Sequence, residues 1–115
     1  MTDINSFGSV MAFAIALEAQ LRDLASAVGQ TDYAAACEKR RSTLERVRRE
    51  NVTEIKLEPI TDLTEEQYAI DAAADVKAAA GTAARFYTDA APKINVREAQ
   101  RALERCAKQH TEFVG

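Results

Sequence analysis

At 115 residues, with 47% hydrophobic and 29% charged side chains, the chain has the balance of one folded domain, not of a disordered segment. A formal net charge of -3 argues against a general nucleic-acid binder, which needs a positive excess to displace counterions. Two cysteines, Cys37 and Cys106, are too few for a disulfide framework or a zinc ribbon, and reduced buried thiols are expected.

The longest apolar run, residues 10–17, falls short of the roughly 20 residues that span a bilayer, and no basic segment precedes it. A single soluble, cytoplasmic domain covering residues 1–115 is the expectation. Alanine occurs 23 times and favours closely packed helices.

The first helix is predicted over residues 4–28. Ile4, Phe7, Met11, Ala14, Glu18, Leu21, Ala25 and Val28 alternate steps of three and four and form one stripe. Gly29 stands where a helix-ending glycine belongs. A second helix is predicted over residues 32–50, with the stripe Tyr33, Cys37, Arg40, Leu44 and Val47 and a stop at Asn51. The short link between them implies an antiparallel hairpin.

Residues 51–63 alternate polar and apolar side chains ahead of Pro59, which predicts an extended connection. Such a segment reaches up to about 40 Å. That exceeds the roughly 30 Å of a 20-residue helix, so it can cross a bundle from end to end. The third helix is predicted over residues 65–90, with Thr64 and Gln67 as a capping box and the stripe Ala69, Ala72, Val76, Ala79, Ala83, Phe86 and Ala90. Pro92 ends it. The fourth is predicted to start after Asn95, boxed by Glu98, with the stripe Val96, Ala99, Leu103, Cys106, His110 and Phe113. The expected fold is an all-α four-helix bundle: two antiparallel helical hairpins joined by a long crossover.

Three residues on the apolar stripes need a reason to be there: Glu18, Arg40 and His110, since a buried charge must be paired. In a hairpin turning near residue 30, residues at one height have numbers summing to about 59 or 60. Glu18 then faces Arg41, with Arg40 and Glu38 close by. Three readings stay open for Glu18: an ion pair with Arg41 and Arg40, a metal ligand acting with Glu38, or an exposed shoulder. His110, the only histidine, is expected as a hydrogen-bonded core group or one favoured by the end of its helix. Asp71 and Asp75 fall on the polar side of the third predicted helix. The basic run from Lys39 to Arg49 is mixed with Glu38, Glu45 and Glu50 at spacings that suit surface pairs.

Residues 14–18 (Ala-Ile-Ala-Leu-Glu), residues 38–41 (Glu-Lys-Arg-Arg) and residues 83–91, with the pair Phe86-Tyr87, are similar to segments of the ferritin-like superfamily. The likeness is to its small rubrerythrin-type bundles, and the hairpin–crossover–hairpin plan extends it over most of the chain. In that family, two glutamates and two Glu-x-x-His motifs hold a di-iron centre. Carried over, Glu18 and Glu38 match ligand positions, Arg41 stands where a histidine would be, Ala80 stands for the third-helix glutamate, and His110 and Phe113 stand for the last motif. The resemblance implies the fold and argues against the iron chemistry, because an arginine among the ligands repels a cation.

The expected function is therefore that of a metal-free module, without cofactor, acting through protein contacts. The flat alanine face of the third helix suits close packing within the chain or across a homodimer axis. The alternative is an iron- or manganese-dependent oxidoreductase using Glu18, Glu38, Asp75 and His110. An anion or nucleic-acid contact through the helix 2 arginines is the third, least favoured by the net charge.

Overall fold

The computed structural model describes residues 3–51, 62–71 and 75–115. Among these it is all-helical, with four α-helices: α1 (Phe7–Ala27), α2 (Thr31–Glu50), α3 (Val76–Ala90) and α4 (Arg97–Val114). Most of the connection expected over residues 51–63 lies outside the described residues.

Local chemistry sets the ends of α1. The Ser6 side chain accepts from the Ser9 N–H (3.1 Å), and the Ser9 side chain accepts from the Ser6 N–H (2.9 Å), which satisfies two orphan donors at once. At the other end Gly29 takes φ +79°, and the Gln30 N–H reaches back to the Ala25 carbonyl (2.9 Å). This closes the helix by the left-handed route that glycine makes cheap. The tight turn sends α2 back along α1, and α2 ends at Asn51 as expected.

Each hairpin packs mainly within itself, α1 on α2 and α3 on α4, and the edges α1–α3 and α2–α4 join the two. Tyr33 stacks on Phe113 at one end of the α2–α4 edge, and Asn51 meets Glu98 (3.0 Å) at the other, so these helices are antiparallel. Since α4 is also antiparallel to α3, α2 and α3 point the same way. The chain must therefore return along the bundle between them.

Residues 63–70 run beside α1. The Ile4 N–H donates to the Leu63 carbonyl (3.0 Å) near the start of α1. Tyr68 packs edge-on to Phe13 (6.4 Å), and the Gln20 side chain donates to the Ile70 carbonyl (2.7 Å). The Thr64–Gln67 box does form, with Gln67 Oε1 accepting from the Thr64 N–H at 2.7 Å, but it opens only a 3₁₀ turn, Glu65–Tyr68. Ala69 is already extended, and α3 begins at Val76 behind Asp75. The expected helix start at residue 65 is thus corrected by about three turns. The box expected from Asn95 and Glu98 also gives way: Val96 occupies the cap position, and Glu98 accepts from Asn51 instead.

The core follows the stripes. Phe7, Met11, Ala14, Leu21, Cys37, Leu44, Phe86 and Leu103 are buried, as are Ala79, Ala80, Ala83 and Ala90 of α3. The alanine face is consumed inside the chain, where it lets α3 approach its neighbours closely. Val28, expected to close the α1 stripe, is 64% exposed. No helix among the described residues is long and apolar enough to cross a membrane.

Candidate functional site

Among the described residues the buried charged or strongly polar side chains are Glu18, Arg40 and His110, the three that the stripes singled out. They meet at the centre of the bundle, each from a different helix. Glu18 is fully enclosed. Its Oε1 accepts from Arg40 Nε (2.9 Å), and its Oε2 accepts from the Tyr87 hydroxyl (2.6 Å) and from His110 Nε2 (2.7 Å). An ionised carboxylate offers only acceptors, so the hydrogen in the imidazole contact sits on Nε2. His110 Nδ1 then faces the Tyr33 hydroxyl (2.5 Å), and the imidazole ring stacks parallel to Tyr87.

Arg40 completes the network on its outer side. Nη1 donates to Gln109 Oε1 (2.9 Å) and Nη2 to the Cys37 sulfur (3.2 Å), while the guanidinium lies over the Tyr33 ring at 5.4 Å. No buried side-chain nitrogen or oxygen among the described residues lacks a partner. Burial, the largest single influence on Glu18, pushes its carboxyl up. The His110 hydrogen bond and charge, the Arg40 charge and the Tyr87 hydroxyl outweigh it and hold the carboxyl below its ordinary value. Burial also pushes up the Cys37 thiol, to about 11, and the Cys106 thiol, to about 12, so both are protonated and poor nucleophiles at neutral pH.

The ion pair expected with Arg41 forms with Arg40 alone. Both arginines lie near the height of Glu18, but successive residues of a helix point about 100° apart. Arg40 is on the Tyr33–Cys37–Leu44 stripe and faces inward. Arg41 faces out, bonded to Glu38 and to Glu45 (2.6 Å). Glu38 is held on the surface by Arg41 and by Arg22 (2.7 Å), which keep its carboxyl down to about 2.

Of the four residues named for a metal, Glu18 and His110 are therefore in contact, while Glu38 points away from them on the outside of α2. Asp75 caps α3, accepting from the Ala78 N–H at 3.3 Å. No group of three or more His, Cys, Asp or Glu side chains among the described residues is placed to hold a metal. The donor set at the centre does not fit iron. Two ligands fall short of a coordination shell, both carboxylate oxygens of Glu18 are engaged, and a fixed cation sits against one of them.

Sequence reasoning named the three charged members but not the two phenols that tie them together. Tyr33 lies on the second stripe, and Tyr87 follows Phe86 of the third. The available signal was that a tyrosine buried at a stripe position must find a partner for its hydroxyl. The class defined by fold and centre is an all-α bundle around a closed Arg–Glu–His–Tyr network. Compared with protein-family models, with curated proteins and with solved structures, the chain shows no match.

Proposed function

We propose that this chain is a ferritin-like bundle that has exchanged its metal centre for an internal guanidinium, and that it serves as a non-catalytic structural or regulatory module. The observation that carries this reading is Arg40 Nε at 2.9 Å from Glu18, the glutamate that the resemblance matches to a metal ligand. The arginine supplies the positive charge that a metal would give the carboxylate. His110 and Tyr87 take the remaining lone pairs, so the centre needs no further cation to be neutralised or hydrogen-bonded. The common direction of α2 and α3, with a return segment between them, supports the ferritin-like plan.

The module acts through contacts with other molecules, and a homodimer is part of the proposal. Val28 and Val114 are the large apolar side chains left exposed among the described residues. Among the described residues a contact would rest mainly on polar and charged groups, so its strength should vary with salt. Sedimentation at low and high salt reads this directly.

The competing oxidoreductase reading has the adjacency of Glu18 and His110 in its favour and the outward placement of Glu38 and Asp75 against it. Thermal melting with ferrous, manganous or zinc ions separates the two, because a ligand bound only by the folded state raises the midpoint. An unchanged midpoint supports the metal-free module. A rise that disappears in Glu18→Ala overturns it.

A further inference from the structure

Outside the polar centre, between α2 and α4, lies a cleft of about 540 Å³. Its volume is in the range that takes up a small organic molecule. Leu44, Ala102, Cys106 and the Tyr33 ring give it an apolar side. Its charged lining is wholly cationic: Lys39, Arg40 and Arg105, with no carboxylate among the lining residues. In a chain of net charge -3 this is a local inversion of sign. Lys39 and Arg105 form no ion pair with any described residue.

Arg40 makes the cleft more than a basic patch. Its guanidinium meets Glu18 through Nε only, and both terminal nitrogens bond neutral partners, an amide oxygen and a thiol. The Nη1 side is the one turned to the cleft, since its partner Gln109 also lines it, and a charged oxyanion there is a stronger acceptor than the neutral amide oxygen. The arginine is buried and oriented by Glu18 and Tyr33, so an anion meeting it loses little to ordering the side chain.

We propose that the α2–α4 cleft binds an organic anion, a carboxylate or phosphate head on an aromatic or aliphatic body. The head sits among Lys39, Arg40 and Arg105, and the body lies against Leu44, Ala102 and Cys106. The proposal goes beyond the metal-free reading by naming a ligand class for the module. Arg40 is shared with the Glu18 centre, but the test turns on Lys39 and Arg105, which are not, so failure of the two readings is distinguishable.

Calorimetric titration of the full chain with 1-naphthyl phosphate, 1-naphthoate, 1-naphthol and inorganic phosphate tests it. The naphthyl anions are expected to bind at least about tenfold tighter than either the neutral naphthol or inorganic phosphate. The double variant Lys39→Gln/Arg105→Gln changes exposed side chains only, so it folds, and it should weaken the naphthyl anions by about tenfold or more. Arg49→Gln, away from the cleft, should leave them unchanged. A preference for phosphate or for carboxylate assigns the head group, and either supports the site. Naphthol binding as tightly as the anions, a double variant with unaltered affinity, equal loss in Arg49→Gln, or no binding of any probe at millimolar concentration would each overturn it.

Discussion

Glu18 is a carboxylate removed from water, and its charge is tolerable only because Arg40, His110 and Tyr87 replace the lost hydration. Arg40→Ala leaves that charge buried without its guanidinium partner, which should cost roughly 3–5 kcal/mol, read from denaturant unfolding. Arg41→Ala breaks only half-buried pairs at the surface of α2 and should leave the unfolding midpoint close to that of the parent. The pH dependence has a definite sign. The folded Glu18 carboxyl lies below its ordinary 4.5, so its contribution is complete above that value and is lost as pH falls through the lower, folded one. The melting midpoint should hold from neutrality to about pH 5 and drop below it, and Glu18→Gln should show a shallower drop.

The tyrosines carry the opposite sign. Burial raises Tyr33, Tyr68 and Tyr87 above the ordinary 10, so their contribution is complete below that pH and is lost as pH rises through the folded values. Tyrosinate absorbance should stay absent at pH 10, where a free phenol is half ionised, and appear only together with unfolding.

At the scale of elements, a single cap decides where α3 begins. Asp75 is the N-cap, and Asp75→Ala should lower stability by about 1 kcal/mol while Asp75→Asn largely preserves it, in chemical denaturation. A metal-ligand role would instead make the asparagine variant metal-deficient. The start of α3 was hard to read because alanine fits every register: Ala69 and Ala72 extend the stripe of Val76 and Ala79 without distinguishing helix from extended chain. Tyr68 decided the matter by docking on Phe13 and Phe86, with Arg85 over its ring and Asp89 on its hydroxyl. Those partners are distant in sequence and leave no local mark.

The stripes of α1, α2 and α4 carry large residues among polar ones, and there the helices and their inward faces were legible. So was the set of charged residues that would be buried. Which arginine faces Glu18 was not settled by height along the hairpin. It depended on the direction of each side chain about the axis of α2, and the stripe through Cys37 and Leu44 had already pointed to Arg40.

Over the whole molecule, two hairpins of opposite sense close on a polar centre that binds each helix to the others. Glu18 comes from α1, Arg40 and Tyr33 from α2, Tyr87 from α3 and His110 from α4. Such a network favours one register of the four helices, since sliding any of them would strand a buried polar group. The cooperative unfolding of all four helices as one unit follows, and hydrogen exchange should show their central amides sharing one opening free energy.

The central claim is that a guanidinium, and not a metal, balances Glu18 inside this bundle. A double-mutant cycle of Glu18→Gln and Arg40→Met, followed by denaturant unfolding, measures that coupling directly. Each single change should be strongly destabilising, and the double variant should recover about 2 kcal/mol relative to their sum, because removing both charges strands neither. Additive losses, with no coupling between the two positions, would contradict it.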